Sequence, residues 1–330
     1  MNYNIIITGG SGFIGSCLAK NLSNKYNITI LDKKKPTHIS FFKKNINFIN
    51  INLCSRKNLF KIISKIQPKT IIHLAAQSTI DMVKIKKKSY IKNNIESTKN
   101  IVDACVKFNI GKLIFSSTAA VYKKKTEKLC ENSKIFSNNI YGKTKIINEQ
   151  YIKKNLRRTN YGILRFFNVC SSDKKNTIGE MHSPETHLLP IIINKILTNK
   201  SINIYGKNYK TKDGTCVRDY VHVKDVVDGI IKLNSYLDNN KSEIINLGSG
   251  VGYSVLDIIK ACEKQMRIKS NFKFIKKRFG DSSSLICNIR RAEQKLKWTP
   301  KFSNLEKIIN DEIWWQQILK KNNTKRKFIY

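Results

Sequence analysis

Two residues four positions apart carry the clearest chemical signal, in the run Tyr141-Gly142-Lys143-Thr144-Lys145. On a helix this spacing puts both side chains on one face. A phenol normally loses its proton near pH ~10, and a neighbouring ammonium stabilises the phenolate. The pair therefore predicts a tyrosine that acts as a base near neutral pH. Because the same spacing is common in solvated helix pairs, the prediction needs a second signal.

A glycine loop upstream supplies that signal, in the run Thr8-Gly9-Gly10-Ser11-Gly12-Phe13-Ile14-Gly15. Gly9, Gly12 and Gly15 follow an apolar segment and open a helix, which is the context of a dinucleotide-binding loop. Small residues let the backbone approach a pyrophosphate, and the helix N-terminus offers it free N–H groups. The two motifs together predict a nicotinamide cofactor beside the tyrosine.

Asp32 ends the second predicted strand, where an acid binds the adenosine ribose hydroxyls. A carboxylate there repels a 2′-phosphate, so we predict NAD rather than NADP. The run Lys33-Lys34-Lys35 is a competing signal, because lysines could accept that phosphate. We give Asp32 more weight because of its position at the strand end. The alternative interpretation is an ordinary turn aspartate.

Length and composition exclude several classes of protein. The chain has 330 residues and is 41% hydrophobic, which allows a sizeable core and one or two domains. No apolar run approaches the ~20 residues of a membrane span, and the N-terminus has no signal-peptide pattern. The eight cysteines are scattered and are expected to be free thiols in a reducing compartment, so we predict a cytoplasmic protein. The five histidines do not cluster in the sequence, so no metal site is predicted.

The formal charge of +39 has two interpretations. One is nucleic-acid binding. The other is a compositional bias toward Lys, Asn and Ile. We favour the second, because the lysines are spread along the chain, as in 33–35 and 123–125, without interleaved stacking aromatics. We therefore predict neither a nucleic-acid nor a membrane partner, although the charge attracts anionic substrates.

The first half alternates short apolar segments with amphipathic ones, which predicts an α/β fold. The predicted strands cover 5–7, 28–31, 48–51, 70–74, 113–116 and 162–166, with long helices near 91–108 and 142–155. We expect a Rossmann-type doubly wound parallel sheet in a cofactor domain over 1–168. The chain is expected to return to this sheet near 219–247. Residues 169–330 are expected to form mainly a smaller C-terminal α/β substrate lobe.

Two further segments are predicted to lack regular structure. The segment 171–187 is polar and reads as a loop. Residues 322–327 read as a basic, frayed tail.

Motifs along nearly the whole chain, from Asn4 to about Gln317, resemble the UDP-glucose 4-epimerase family of the extended short-chain dehydrogenase/reductase superfamily. Besides the two motifs above, the segments that carry the resemblance are Ile178-Gly179-Glu180-Met181-His182-Ser183-Pro184-Glu185-Thr186-His187-Leu188-Leu189-Pro190, Tyr205-Gly206-Lys207-Asn208-Tyr209, Asp213-Gly214-Thr215-Cys216-Val217-Arg218-Asp219-Tyr220-Val221-His222-Val223, Asn246-Leu247-Gly248-Ser249-Gly250 and Arg278-Phe279-Gly280-Asp281.

The resemblance implies a mechanism. Tyr141 takes the proton of the sugar 4-hydroxyl while hydride passes from C4 to NAD. The 4-keto sugar then turns over, and the hydride returns to its other face, which interconverts UDP-galactose and UDP-glucose. Thr118 matches the family's serine-or-threonine position between the tyrosine and the sugar oxygen. Ser116 and Ser117 are the alternative candidates for this hydroxyl. In the alternative interpretation without a catalytic role, Thr118 is a strand-end threonine bonded to the backbone.

The resemblance also implies binding roles at single positions. The cofactor residues are Gly9, Gly12, Phe13, Ile14, Gly15, Asp32, Asn52, Leu53, Leu74, Ala75, Ala76, Asn93, Tyr141, Lys145 and Phe167. The residues that hold the UDP-sugar are Thr118, Asn168, His187, Leu188, Tyr205, Arg218, Arg278, Asp281 and Leu285. Asn52 replaces an aspartate that is more usual at the adenine contact, but an amide can still bond there.

Two rival functions remain. One is another NAD-dependent sugar-nucleotide epimerase or dehydratase, but Ala119-Ala120 occupy the place of the acid pair that a dehydratase uses. The other is a non-catalytic binding protein, against which Thr118, Tyr141 and Lys145 argue. The resemblance implies a homodimer paired through the helices near 91–108 and 142–155.

Overall fold

We analysed a computed structural model that describes residues 3–35, 45–78, 81–123, 127–182, 184–278 and 281–326, without the side chains of 81–86 and 322–326. Several residues that the sequence analysis named lie outside these ranges: Lys124, Lys125, Ser183, Phe279, Gly280 and Lys327.

Strands and helices alternate through the first half of the chain. The strands are β1 (Asn4–Thr8), β2 (Asn27–Asp32), β3 (Ile46–Asn50), β4 (Thr70–His73), β5 (Lys112–Thr118), β6 (Asn160–Phe166), β7 (Asn168–Cys170), β8 (Ser172–Asp173), β9 (Ile178–Gly179), β10 (Ile202–Tyr205), β11 (Val217–His222), β12 (Glu243–Leu247), β13 (Gly252–Ser254), β14 (Phe272–Ile275) and β15 (Ser284–Leu285). The helices are α1 (Phe13–Leu22), α2 (Arg56–Ile66), α3 (Asp81–Lys107), α4 (Ile140–Asn155), α5 (Leu188–Leu197), α6 (Val223–Asn239), α7 (Val255–Met266), α8 (Arg290–Leu296) and α9 (Leu305–Arg326).

Within the described ranges, a parallel sheet of seven strands has the order β12-β6-β5-β4-β1-β2-β3. Helices cover both faces, which explains why its strands are continuous apolar runs. Ile5 and Ile7 of β1 pack into one hydrophobic cluster with α1 and α6. Ile6 points to the other face and packs with α2 and α3. The predicted Rossmann-type parallel sheet is confirmed.

The order of the strands reverses at β1, because β2 and β4 lie on its two sides. In an open parallel sheet, ligands bind outside the carboxyl ends of the strands at such a point. The glycine loop leaves β1 there, Asp32 ends β2 and Leu74 follows β4. The topology therefore gathers the sequence-predicted cofactor residues at one edge of the sheet.

The chain returns to the seven-stranded sheet at the end of the predicted range 219–247. Only β12 joins the seven-stranded sheet, beside β6. The strand β11 pairs instead with β7, β13 and β15 in a smaller sheet. Both strands are short, and the sequence does not reveal with which strand each one pairs. The helix predicted near 91–108 begins earlier, at Asp81.

The C-terminal part has a hydrophobic cluster of its own, to which α5, α7 and α9 contribute. The predicted loop at 171–187 contains the short antiparallel pair β8–β9. The segment predicted to be a frayed tail continues α9 as far as Arg326. In the part of the chain that the structure describes, no helix combines the length and the apolarity needed to span a membrane. All eight cysteines are free thiols.

Candidate active site

The glycine loop is shaped by two close backbone approaches. Gly9 has φ +70°, in the left-handed region, and an added Cβ would lie 2.6 Å from the Ala75 nitrogen. A Cβ on Gly15 would collide with the carbonyl oxygen of Gly9. Only glycine combines this conformation with this contact. The loop therefore packs closely between the residues after β4 and the first turn of α1.

Polar groups in the loop fit a pyrophosphate. Gly12 is the N-cap of α1 and supplies no side-chain cap, so the N–H groups of the first turn stay available. The Ser11 hydroxyl is shielded from solvent and has no hydrogen-bond partner among the described residues. Donors at a helix N-terminus are suited to phosphate oxygens. The residues present therefore fit the dinucleotide that the sequence predicts.

Asp32 lies where the adenosine ribose is expected. Its carboxylate accepts hydrogen bonds from the backbone N–H groups of Ser11 and Lys34, both at 3.2 Å. The ammonium of Lys33 donates to the Asn93 side-chain oxygen at 3.3 Å. Lys33 is therefore bonded to the far wall of the cleft, whereas the carboxylate of Asp32 faces the glycine loop. This geometry supports NAD over NADP.

A cleft of about 400 Å³ lies at this edge of the sheet. Nine sequence-predicted cofactor residues line it: Gly9, Gly12, Asp32, Asn52, Leu53, Leu74, Ala75, Ala76 and Asn93. The predicted residues Phe13, Ile14 and Gly15 lie in the first turn of α1, and Phe167 packs in a separate cluster with Ala119 and Val121.

The sequence analysis missed several residues in the wall of this cleft. They are Ile51, Cys54, Gln77, Asn94 and Ser97. Asn94 bonds both to the backbone N–H of Gln77, at 2.8 Å, and to its carbonyl oxygen, at 3.0 Å. It thereby fixes the segment after β4 against α3. The adjacent pair Asn93-Asn94, at the helix position facing β4, is the signal that could have revealed it.

Lys145 is anchored to the strand that ends at Thr118. Its side chain is 1% exposed, and its ammonium donates to the Ser116 carbonyl oxygen at 2.6 Å. The same nitrogen lies 5.6 Å from the centre of the Tyr141 ring and 4.7 Å from that of Phe115. The predicted i, i+4 pair therefore forms, and it faces β5.

Gly142 explains how closely α4 approaches this strand. A Cβ at this position would lie 2.5 Å from the Ala120 carbonyl oxygen, in the turn Ala119–Val121 that follows Thr118. The glycine in the tyrosine motif thus removes the obstacle between the start of α4 and that turn. Asn139 caps the helix by accepting from the Gly142 N–H at 2.6 Å.

The structure distinguishes Thr118 from its two neighbours. The hydroxyl of Ser116 donates to the His73 carbonyl oxygen at 3.2 Å, and that of Ser117 donates to Glu149 at 2.5 Å. Both serines are buried. Thr118 is half-buried, and its oxygen accepts from the Ala120 N–H at 3.2 Å, which leaves its own proton free to donate. Thr118 is therefore the hydroxyl suited to a substrate.

Burial acts on the charged forms of the tyrosine–lysine pair. It raises the pKa of Tyr141 to about 12 and lowers the pKa of Lys145 to about 7, although the Glu149 carboxylate opposes the second shift. For the protein by itself this is the opposite of the predicted acidic phenol. A positive charge in the cleft, beyond these two residues, is needed to bring the phenol pKa down.

Most sequence-predicted substrate residues lie together around β11. Arg218 pairs in register with Leu285, and its guanidinium lies 3.9 Å from the Asp281 carboxylate. The Arg278 guanidinium stacks on the Tyr205 ring, 3.8 Å from its centre.

The remaining substrate residues fall into two places. Asn168 donates to the Asp219 carbonyl oxygen at 2.9 Å, next to Arg218. His187 and Leu188 stand at the start of α5, where the His187 imidazole contacts Glu180 and Glu185. Leu285 is partly buried and packs against the cluster that contains Phe167 and Ala119.

Comparison with known proteins adds independent findings. Residues 5–248 match the model of the NAD dependent epimerase/dehydratase family. The chain belongs to this family. A UDP-glucose 4-epimerase of Rhizobium meliloti (strain 1021) is 34% identical over 310 residues, which is 91% of this chain and 93% of the relative.

Solved structures of epimerases agree with the fold. A UDP-glucose 4-epimerase from Brucella ovis in complex with NAD has a TM-score of 0.87 at 29% identity, covering 95% of this chain and 98% of that one. One from Stenotrophomonas maltophila, with bound NAD and formylated UDP-arabinopyranose, has a TM-score of 0.91 at 25% identity, covering 97% and 100%. The resemblance to UDP-glucose 4-epimerases, the epimerase class and the NAD cofactor are thereby confirmed.

We expect Gly15→Ala to abolish retention of NAD by this epimerase-family chain, since its Cβ collides with backbone that cannot move without deforming the loop. The measurement is the amount of dinucleotide released per chain on denaturing the purified protein. Gly111→Ala is the matched control, because its Cβ meets its nearest atom at 3.5 Å. Normal dinucleotide content in Gly15→Ala would contradict the assignment of the loop.

Proposed function

We propose that the chain interconverts UDP-galactose and UDP-glucose through a 4-keto sugar, as a UDP-glucose 4-epimerase. The observation that carries the proposal is the pairing of Tyr141 with Lys145, whose ammonium is bonded to β5, the strand that ends at Thr118 and lies next to β4. Lys145 reaches the Ser116 carbonyl at 2.6 Å, and Gly142 admits α4 to the turn after Thr118. Such an arrangement supports removal of a proton from an alcohol.

Oxidation of the C4 alcohol removes a proton from oxygen and a hydride from carbon. When bound, NAD supplies the hydride acceptor and a positive ring charge. The proton is transferred by Tyr141 and Thr118. The Thr118 hydroxyl donates a hydrogen bond to the sugar C4 oxygen, and the Tyr141 phenolate accepts the proton that leaves the C4 hydroxyl. When the hydride returns to the other face of the 4-keto sugar, Tyr141 gives the proton back to the C4 oxygen. The other epimer is then formed, and Tyr141 is again a phenolate.

Lys145 orients Tyr141 and stabilises its phenolate, and it does not itself react. Its ammonium is held by the Ser116 carbonyl and lies beside the Tyr141 ring. A cation in this position stabilises the phenolate relative to the phenol. The Glu149 carboxylate, one turn along α4, favours the charged form of Lys145.

The UDP moiety is assigned to the residues around β11. Arg218 and Arg278 bring fork-shaped donors that match diphosphate oxygens, and Tyr205 offers a ring beside them. Asn168, His187, Leu188 and Asp281 complete the proposed set. The net charge of +39 favours the approach of an anionic nucleotide sugar. By this assignment residues 1–168 mainly bind the cofactor and 169–330 mainly the UDP-sugar.

We further propose a cytoplasmic homodimer. The interface is the α3–α4 face that the family resemblance implies. Among the described residues of these two helices, the exposed large apolar side chains are Val106, 53% exposed, and Ile147, 42% exposed.

The function is tested by incubating purified protein with UDP-galactose, without added NAD, and measuring UDP-glucose. We expect conversion, because the cofactor stays bound through the cycle. Absence of conversion both with and without added NAD would refute the proposal. Denaturing the same sample identifies the dinucleotide, and mainly NADP would show that Lys33 and Lys34 outweigh Asp32.

We expect Tyr141→Phe to lower turnover by roughly 10²–10⁴, the range for loss of a general acid–base. Substrate affinity is expected to change little, because the ring remains. The measurement is kcat for UDP-galactose beside the KM. Tyr236→Phe is the matched control, since Tyr236 lies half-buried on α6. Turnover of Tyr141→Phe near that of the control would remove Tyr141 from the mechanism.

We expect Leu285 to disfavour N-acetylated sugars. It packs with Phe167 near the turn after Thr118, and an acetamido group forced against it costs about 1–3 kcal/mol, or roughly 10- to 100-fold in kcat/KM. Leu285→Ser is expected to raise kcat/KM for UDP-N-acetylglucosamine. Leu256→Ser on α7 controls for lost stability. If the serine variant gains nothing on that substrate, Leu285 is not the gate.

A further inference from the structure

Four metal-ligating side chains gather in the segment between β9 and α5. Glu180 directly follows β9, His187 is the N-cap of α5, and His182 and Glu185 lie between them. One ligand atom from each lies within 4.8 Å of all the others. The two imidazole rings have their centres 4.9 Å apart. His182 and His187, which are five residues apart in the sequence, are thus close in space.

The shortest distances between ligand atoms of the cluster match those between neighbouring ligand atoms of one metal ion. The Glu180 carboxylate oxygen lies 3.1 Å from the His182 Nδ1 and 3.2 Å from the His187 Nδ1. The Glu185 oxygen lies 2.9 Å from the same His187 nitrogen. A tetrahedral ion with bonds near ~2.0–2.1 Å separates its ligand atoms by about 3.3 Å. To bind an ion, only the more distant pairs of ligand atoms in the cluster therefore need to move closer together.

Contacts around the cluster hold the Glu185 carboxylate and the backbone of Glu180 in place. The Glu185 oxygen accepts hydrogen bonds from the backbone N–H groups of Thr186 and His187, both at 2.8 Å. Glu180 is only 5% exposed, and its backbone carbonyl accepts from the Trp315 indole of α9 at 2.8 Å. Such outer contacts orient ligands before an ion arrives.

A fifth side chain close to the cluster has an oxygen without a partner. Glu312 on α9 is fully buried, and its Oε2 has no hydrogen-bond partner among the described residues. Its carboxyl group lies within electrostatic range of the Glu180 and Glu185 carboxylates. Buried carboxylates are normally paired or bound to a metal.

We propose that Glu180, His182, Glu185 and His187 bind one divalent transition-metal ion of the Zn²⁺ type. Two imidazoles with two carboxylates are the donor set that such ions prefer, whereas Mg²⁺ takes oxygen ligands and keeps its waters. Because the backbone carbonyl of Glu180 is bonded to Trp315 of α9, the ion ties the segment before α5 to the C-terminal helix. The site shares His187 with the set proposed to hold the UDP-sugar, but its test by metal titration does not use the epimerase reaction.

The test uses the full-length, untagged protein, stripped with EDTA and titrated with Zn²⁺ by calorimetry, with Mg²⁺ in a parallel titration. We expect one Zn²⁺ per chain at micromolar affinity or better, a higher Tm with Zn²⁺, and no binding of Mg²⁺. His182→Ala and Glu185→Gln are expected to weaken Zn²⁺ at least tenfold. Glu306→Gln, at an exposed position on α9, is expected to leave it unchanged.

Two results would overturn the proposal. One is absence of stoichiometric Zn²⁺ binding at 100 µM, which would leave the cluster as histidine–carboxylate hydrogen bonds. The other is unchanged Zn²⁺ affinity in both His182→Ala and Glu185→Gln, which would place the ion elsewhere. Neither result bears on epimerase activity or NAD content, so each proposal can fail alone.

Discussion

The buried ion pair between Glu149 and Arg165 is the contact on which the position of α4, the helix of Tyr141 and Lys145, depends. The guanidinium of β6 bonds the carboxylate of α4 at 2.7 Å and 3.0 Å, and the two side chains are 0% and 2% exposed. Ser117 of β5 donates to the same carboxylate at 2.5 Å. Two charges withdrawn from water are tolerated only when their hydrogen bonds are made, so few other placements of α4 are acceptable. Lys145, one turn before Glu149, is thereby brought to the Ser116 carbonyl.

The other end of Arg165 extends this constraint to the rest of the site. Its guanidinium donates to the Tyr122 hydroxyl at 2.9 Å, and that hydroxyl donates to Asn246 of β12 at 2.6 Å. Asn246 in turn donates its backbone N–H to Glu131 at 2.8 Å. Tyr122 follows the turn after Thr118, so one polar network connects α4, this turn and the edge strand β12 of the sheet. Because the network is closed inside the core, disturbing one member leaves others unsatisfied.

Local signals account for what the sequence predicts well. The glycine loop and Asp32 are readable because a turn and a strand end restrict which residues fit, and the six strands of the first half are apolar runs with polar boundaries. The partners of β11 were not predictable, since any exposed strand edge can accept a short strand. The pKa shifts of Tyr141 and Lys145 arise from burial, which depends on tertiary packing and cannot be read from the local sequence. The same holds for His182 and His187, which meet because the segment before α5 folds back on itself.

The most direct test of this account is the coupling between Glu149 and Arg165, measured as the free energy of unfolding in Glu149→Leu, Arg165→Met and the double variant. Removing one partner of a buried ion pair leaves the other charge uncompensated and costs about 3–5 kcal/mol, whereas replacing both by apolar side chains is often nearly neutral. The account predicts that the double variant loses less stability than the sum of the single variants, by at least about 2 kcal/mol. Losses that add to within about 0.5 kcal/mol would contradict it, because two residues that act independently cannot hold α4 against the sheet.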